Sequence, residues 1–482
     1  MRVLKFGGTS VGNARRVREA ARIARNTPGP NVIVVSACGG VTNLLLDAGR
    51  AAARSDRGAV AALVQEIHAK HQNVLAGLND DALRASVSAE VDQLHASLDD
   101  TLDEILAGGE LTPRLSDRIV SHGEKTMARM MSATLRDMDI DATAVFMDTV
   151  LATDDRHTSA RPNRPLTRER AQAIVRPLLD AGTTIVATGF IGFAPDGSTT
   201  TLGRSGSDYS ATLIGAALDA DEVQIWTDVP GVLSADPRKV ASARVVSEIS
   251  YDEAQELAHF GAKVLHPRTI RPAVSQDIPV RILSTFQPTN SGTVVHNQAA
   301  AQRIKATTAL KGLTLLTVDV PELEDLAGAA SVVFRVLHEQ RVEILSVSQA
   351  SSRRRMTFIV DTLGGGCIRL NQLIHDELSD DDIEVIICCQ DEVAVVAAVG
   401  DGAANSPSSL ARMLAVLARA DVEVLASTQQ NSNAAMVVVV PEEASDRAVQ
   451  AVHDTFIGSH RKSRRSRSRH HTDLLSESLR VG

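Results

Sequence analysis

The stretch Val3-Leu4-Lys5-Phe6-Gly7-Gly8-Thr9-Ser10-Val11-Gly12 runs an apolar, strand-like segment straight into a paired-glycine loop. A helix is expected next. Asn13–Arg25 carries Val17, Ala20, Ala21 and Ala24 at helical spacing, with arginines on the other face. A second run rich in β-branched residues, Val32–Ala37, follows. Strand, loop, helix, strand is the repeating unit of a parallel sheet. The rhythm continues, with strand candidates at Ala144–Met147, Thr184–Thr188, Glu222–Thr227 and Val280–Leu283. Helical stretches such as Arg168–Ala181 and Asp252–Phe260 separate them. These residues imply an α/β fold with a mostly parallel central sheet. Ligands of such sheets bind beyond the carboxyl ends of the strands, so the loops after strands are the places to seek chemistry.

Three loops qualify. In the first, Lys5 ends a strand and can neutralise a phosphoryl group, while Gly7 and Gly8 let the backbone approach phosphate oxygens closely. No Gly-Lys-Ser/Thr follows, so this is not a Walker A loop. The second, Thr201–Ser210, holds two glycines, Arg204, Asp208 and several hydroxyls. Arg204 can grip a carboxylate through two parallel hydrogen bonds. Ser207 and Asp208 are expected to cap a helix over Ala211–Leu218. The third, Trp226–Val232 with Asp236-Pro237-Arg238 beyond it, suits a nucleotide pocket, with Asp228 near a ribose or metal and Arg238 near phosphates. Asp-Pro is also ordinary turn chemistry, so that loop alone is ambiguous. Glu124, in Ser121–Lys125, stands near an expected helix start. It can bind an ammonium group, but taken alone it reads as a surface carboxylate. Lys263 ends a helical run, and His266 reads as a helix-terminus histidine.

The last third contains an internal repeat. Val332–Val360 lies over Arg412–Val440, matching Leu337 to Leu417, Leu345 to Leu425, Gln349 to Gln429 and Met356 to Met436. Upstream, Leu313–Val318 matches Val393–Ala398. Each copy reads as strand, helix, hairpin and second helix, a small α+β unit used in tandem. The polar stretch Pro288–Thr308 reads as the boundary before it. From Ser459 the chain turns into a Ser/Arg run that cannot form a core and is expected to be a disordered, solvated tail. A nucleic-acid-binding arm is the alternative reading of that charge.

With 482 residues, 44% of them apolar and 23% charged, the chain has room for several soluble domains. Aromatics make up only 2%, so the core must be aliphatic. A net charge of −9 disfavours a nucleic-acid partner for the body of the protein. There is no bilayer-spanning apolar run and no signal-peptide pattern at Met1–Gly8, so a cytoplasmic, membrane-free protein is expected. The four cysteines, Cys38, Cys367, Cys388 and Cys389, lack zinc-site spacing and are expected to be reduced core thiols.

In order along the chain, KFGGTSVG (Lys5–Gly12), VSACGGVTNLL (Val35–Leu45), SHGEK (Ser121–Lys125), GFIG (Gly189–Gly192), LGRSGSDYSA (Leu202–Ala211), WTDVPGV (Trp226–Val232), DPR (Asp236–Arg238) and FGAKVLHPRT (Phe260–Thr269) resemble the aspartokinases. These are members of the amino-acid kinase superfamily, and the repeat looks like their paired ACT domains. The resemblance covers the chain to about Phe456 and is closest to the kinase half of the fused aspartokinase–homoserine dehydrogenases. It implies a three-layer amino-acid-kinase domain over 1–300, ferredoxin-like ACT domains over 309–390 and 391–458, and a tail over 459–482. The implied activity is transfer of the γ-phosphoryl group of ATP to the β-carboxylate of L-aspartate, the first step of lysine, threonine and methionine biosynthesis, with Mg2+ arriving on the ATP. The implied roles are catalytic for Lys5 and Asp208. Lys5, Gly7, Gly8, Ser10, Thr227, Asp228, Arg238 and Lys263 would hold ATP, and Thr42, Glu124 and Arg204 would hold aspartate. Gln349 and Gln429 would contact a feedback effector, threonine first and lysine second. A homodimer or higher homo-oligomer is also implied.

Leu233 departs from the pattern, because many relatives place a tyrosine there against the nucleotide. No dehydrogenase fingerprint follows the second repeat, and the Arg/Ser tail is foreign to the family. Two other readings stand beside this one: an amino-acid kinase acting on a glutamate-type substrate, and a non-catalytic amino-acid sensor built on the repeat.

Overall fold

A computed structural model describes residues 1–262, 266–297, 303–320, 326–350, 355–362, 366–380, 385–402, 406–428 and 434–458. The chain divides into two compact units. The first comprises Met1–Val232, Ser247–Tyr251 and Val264–Gln298. The second comprises Leu233–Val246, Asp252–Lys263 and Ala299–Gly482, in their described residues.

The first unit is built on strands β1 (Arg2–Phe6), β2 (Val32–Val35), β3 (Ala142–Val145), β4 (Thr184–Thr188), β5 (Ile191–Phe193), β6 (Thr199–Thr201), β7 (Glu222–Thr227), β8 (Glu248–Ser250), β9 (Val280–Ser284) and β10 (Thr293–His296). Eight of them form one sheet in the order β3-β4-β2-β1-β7-β9-β10-β8, and β5 and β6 form a separate hairpin. All neighbours in the large sheet run parallel except β9 and β10. The helices are α1 (Ala14–Asn26), α2 (Val41–Ala53), α3 (Arg57–Leu75), α4 (Asp81–Gly108), α5 (Pro113–Arg136), α6 (Arg164–Ile174), α7 (Arg176–Asp180) and α8 (Gly206–Ala217). The expected helix Arg168–Ala181 is two helices, because Pro177 lacks the N–H that would continue the first.

Strand alternation sorts the layers. Leu4, Phe6, Ile33, Val35 and Val186 face one large aliphatic core shared with α1 to α5. Val3 and Val223 face the other way, onto α8. A side chain at Gly215 of α8 would come within 2.6 Å of Val223 and 3.7 Å of Val3, so the helix lies almost on the sheet. Lys5 shares the face of Val3, two residues on, and therefore points toward α8. Helix α5 starts where Thr112 caps it, its side chain accepting from Leu115 N, with Pro113 at the first position. Glu124 is thus deep within a 24-residue helix and 3% exposed, not a surface group near a helix start.

The second unit contains α9, which spans Tyr251–His259 and lies in this unit from Asp252 onward. The repeat follows as β11 (Ala306–Asp319), α11 (Leu326–Glu339), β12 (Glu343–Ala350), β13 (Arg355–Asp361) and α12 (Cys367–Asp380), and then β14 (Ile386–Val399), α13 (Pro407–Arg419), β15 (Ala426–Thr428), β16 (Ala435–Pro441) and α14 (Ser445–His453). In the first unit, α10 (Pro267–Val274) packs on α8. The two copies share one antiparallel sheet, β12-β13-β11-β14-β16-β15, joined by β11 to β14. Two earlier segments join this unit. Ser234 Oγ lies 2.9 Å from His453 Nε2. Lys305 and Glu253 form an almost fully buried ion pair at 2.8 Å, and Glu253 also accepts from Asp401 N.

The cysteine expectation fails in part. Cys367 and Cys389 are joined by a disulfide, Cys388 is exposed, and only Cys38 is a buried thiol. Neighbours on a strand point to opposite faces. Cys389 therefore turns toward α12 while Cys388 turns to solvent. The 459–482 tail lies outside the described residues. Among those described, no helix is long and apolar enough to cross a membrane.

Helices α3 and α4 bury a histidine cluster. His71 Nδ1 lies 2.9 Å from His95 Nε2, and the His68 and His95 rings stack. Burial pushes His71 down from 6.5 to about 3 and His95 to about 4. Folding therefore holds these rings neutral. Their contribution is complete above the unfolded value near 6.5 and is lost as pH falls from there toward the folded values. Between about pH 7 and about pH 5 the urea midpoint of the wild type should fall more than that of His71→Gln. Equal falls would show that the imidazoles do not sense acid.

Candidate active site

The carboxyl ends of β1, β2, β4 and β7 deliver four loops to one edge of the sheet. Gly7 N donates to Trp226 O, and Ser36 N to Phe6 O, so adjacent strands hold the loop starts together. A cavity of about 500 Å³ opens there. Lys5, Ser36, Thr42, Asp117, Glu124, Arg204, Ser207 and Asp208 are among the residues lining it.

Lys5 Nζ lies 2.6 Å from Asp208 Oδ1, and both side chains are mostly buried. The helix carrying Asp208 begins at Gly206, five residues before the expected start, and neither Ser207 nor Asp208 is its cap. Ser205 holds that position with φ +56° and no side-chain capping bond. Asp208 thus sits in the first turn, where backbone amides favour a carboxylate, and it is free to pair with Lys5. A side chain at Gly7 would stand 3.4 Å from Lys5 Nζ, so the glycine keeps the amine uncovered. At Gly8 a Cβ would meet Ala37 O at 3.1 Å, which shows how closely the two glycine loops pack.

Glu124 is a further buried acidic group in the cavity. Its Oε1 accepts from Ala37 N at 3.1 Å, while Oε2 has no partner. Burial pushes its carboxyl up from 4.5 to about 8, against the weaker pull of the Ala37 amide. Arg204 is exposed, and no hydrogen bond or ion pair among the described residues engages it. The cavity therefore offers an unpaired carboxylate oxygen, an unpaired guanidinium and a fixed ammonium.

The remaining residues named from sequence divide. Ser10 Oγ lies 2.9 Å from Thr285 Oγ1, which donates to Thr227 O, and Thr227 Oγ1 donates to Asp228. These four lie together at the ends of β1, β7 and β9. Arg238 belongs to the second unit, exposed and held by Asp236 at 2.6 Å. Gln349 is exposed on β12, at one end of the six-stranded sheet. Lys263 and Gln429 lie outside the described residues. His266 caps α10, accepting from Arg268 N, in keeping with its reading as a helix-terminus residue. Sequence reasoning missed Asp117, which lines the cavity two helical turns before Glu124. The Thr112-Pro113 start signal would have extended α5 back to it.

Holding Glu124 charged costs folding free energy. A raised carboxylate favours the folded state fully below its unfolded value of 4.5, and that gain is lost as pH rises through about 8. Glu124→Gln should therefore melt several degrees above the ligand-free wild type near pH 8.5, with the gap shrinking toward pH 5. A gap independent of pH would contradict this burial argument.

Known proteins match the chain both in sequence and in fold. The Amino acid kinase family matches residues 1–284, and an ACT domain matches residues 396–456. Bifunctional aspartokinase/homoserine dehydrogenase 1 of Arabidopsis thaliana, a chloroplast protein, is 33% identical over 471 residues, 94% of this chain and 51% of that protein. The chain thus spans about half the length of such relatives. Lysine-sensitive aspartokinase 3 of Escherichia coli K12 is 32% identical over 464 residues, 94% of this chain and 98% of that protein. The crystal structure of E. coli aspartokinase III in complex with aspartate and ADP aligns with a TM-score of 0.75 at 29% identity, covering 94% of this chain and 99% of that one.

Proposed function

Because the chain belongs to the aspartokinases, a branch of the amino acid kinase family, we propose that it transfers the γ-phosphoryl group of ATP to the β-carboxylate of L-aspartate. One observation carries the reading: the unpaired Glu124 oxygen and the free Arg204 guanidinium face one cavity with the Lys5 ammonium. An α-amino acid presents an ammonium and a carboxylate, and these two groups complement them. The E. coli relative holds aspartate and ADP in its crystal structure.

The nucleophile is a carboxylate, ionised at neutral pH, so no general base is required. The obstacle is repulsion between two anions. Lys5, fixed by Asp208, supplies positive charge where the phosphoryl group passes, and the bare backbone of Gly7 and Gly8 gives the phosphates close approach. Arg204 holds the α-carboxylate, Glu124 the α-ammonium, and Thr42 adds a hydroxyl. Ser10, Thr227 and Asp228 border the nucleotide. Magnesium enters on the triphosphate as part of the substrate. Such an ion keeps several waters and needs few protein carboxylates.

The repeat supports regulation. In this reading 309–390 is a further ACT domain beside the matched one, and the pair binds a feedback amino acid, threonine or lysine, in the cytoplasm. A relative's structure contains lysine together with aspartate. Effector binding inhibits by favouring an inactive arrangement. Strand β12, at the sheet edge, suits pairing between two copies.

An ATP-dependent hydroxamate assay tests the reading, with aspartate and glutamate as separate substrates. Aspartate should react, and Lys5→Ala should lower kcat by about 10²–10³-fold. Arg204→Ala should raise KM for aspartate far more than KM for ATP. The same KM should fall as pH rises from about 6.5 to about 8.5, because Glu124 must ionise to hold the ammonium. Activity with glutamate alone would overturn the substrate, and a rate indifferent to both threonine and lysine would overturn the regulation.

A further inference from the structure

We propose that Asp117 is a positioning residue for aspartate recognition: its buried carboxylate locks two loops around Gly203 and so sets where Arg204 stands. The proposal rests on the reading of the cavity as the aspartate site.

Asp117 is 1% exposed, yet none of its partners among the described residues is an arginine or lysine. Thr201 Oγ1 donates to Oδ1 at 2.6 Å, and Thr201 N to Oδ2 at 3.1 Å. Thr158 N donates to Oδ2 at 2.9 Å, and His157 Nδ1 lies 2.9 Å from the same oxygen. Every one of these donors lies outside α5. They come from the end of β6 and from the loop after β3, two of the segments that wall the cavity. A carboxylate that accepts this many bonds with no arginine or lysine among its described partners is organising backbone, and losing one acceptor would leave several buried donors unpaired at once.

The backbone held this way is strained. Thr158 has φ +68°, an uncommon conformation for a β-branched residue. Phe190 and Ser205 also have positive φ, and all three line the cavity. Strain of this kind persists only where surrounding bonds over-determine it. Thr158 and Thr201 are also tied to each other, through Ala160 N donating to Thr201 O. Between them fits Gly203, at φ +77°, where a Cβ would come within 3.2 Å of Thr158 O. Arg204 is the next residue. Its own side chain has no partner among the described residues, so the backbone on either side must define its position. Asp117 thus acts on substrate through Thr158, Thr201 and Gly203.

The test compares Asp117→Asn, Thr201→Val and Thr201→Ser with the wild type by melting temperature, kcat, and KM for aspartate and ATP. Asp117→Asn is isosteric but turns an acceptor into a donor facing N–H and O–H groups. Its KM for aspartate should rise about tenfold or more, while KM for ATP stays within about twofold. Thr201→Val, which removes one of the donors, should move the same constant in the same direction by less. Thr201→Ser, which keeps the hydroxyl, should behave as wild type. If Asp117→Asn does not fold, Thr201→Val against Thr201→Ser decides the matter. An unchanged KM for aspartate in folded variants would overturn the proposal, as would equal losses in both KM values alongside a lower melting temperature. Should the wild type itself fail to phosphorylate aspartate, the fault lies with the proposed activity. A wild type that reacts and an Arg204→Ala that loses aspartate affinity, beside an unaffected Asp117→Asn, would fault the positioning role alone.

Discussion

An ammonium group can assist transfer between two anions only if it is charged, fixed and uncovered, and these demands conflict inside a protein. Burial fixes a lysine but strips its hydration. In the proposed site the conflict is met by the contact between Lys5 and Asp208. Strand alternation turns Lys5 to the same face as Val3, and Gly215 lets α8 come close enough to that face for its first turn to meet the amine. The carboxylate draws further stability from the amides at the helix start. The parallel sheet, the glycine in α8 and the glycine after the strand all serve this one pair.

The rest of the cavity follows a different electrostatic rule. Glu124 is buried with one oxygen satisfied and the other open. Asp117, two turns earlier on the same helix, is equally buried and fully engaged. One helix face therefore carries two buried acidic groups in opposite states: one is engaged by several donors, and the other keeps an open oxygen. The positive backbone angles at Thr158, Phe190 and Ser205 fall around the same space. Unfavourable local geometry concentrated at a cavity is the mark of a site held ready for a ligand.

The second unit gains its cohesion by another route. Two copies of one motif each present an open strand, and β11 pairs with β14 to make a single sheet, so neither copy leaves that edge bare. Earlier segments are fastened to it by polar contacts, above all the buried Lys305–Glu253 pair. Such a pair adds little net stability over apolar packing, but removing one partner leaves an isolated charge.

The residues alone determined the layered α/β plan, the tandem repeat and the loops where chemistry gathers. Those features follow from local periodicity and from glycines placed after strands, which act over a few residues. Lys5 and Arg204 were legible for the same reason, since the first lies at the end of a strand and the second closely follows one. What only the tertiary structure decided depends on groups far apart in sequence. Glu124 looked superficial until the full length of α5 set it beneath Ala37. Asp117 had no motif to announce it, because its donors lie 40 and 84 residues away. The start of α8 was misjudged because its first turn is secured by the Lys5 contact across the sheet and not by a local cap. Cys367 and Cys389 meet because a strand and a helix start come together, which their spacing of 22 residues does not disclose. Short-range patterns specify elements; burial and long-range polar contacts assign the side chains their tasks.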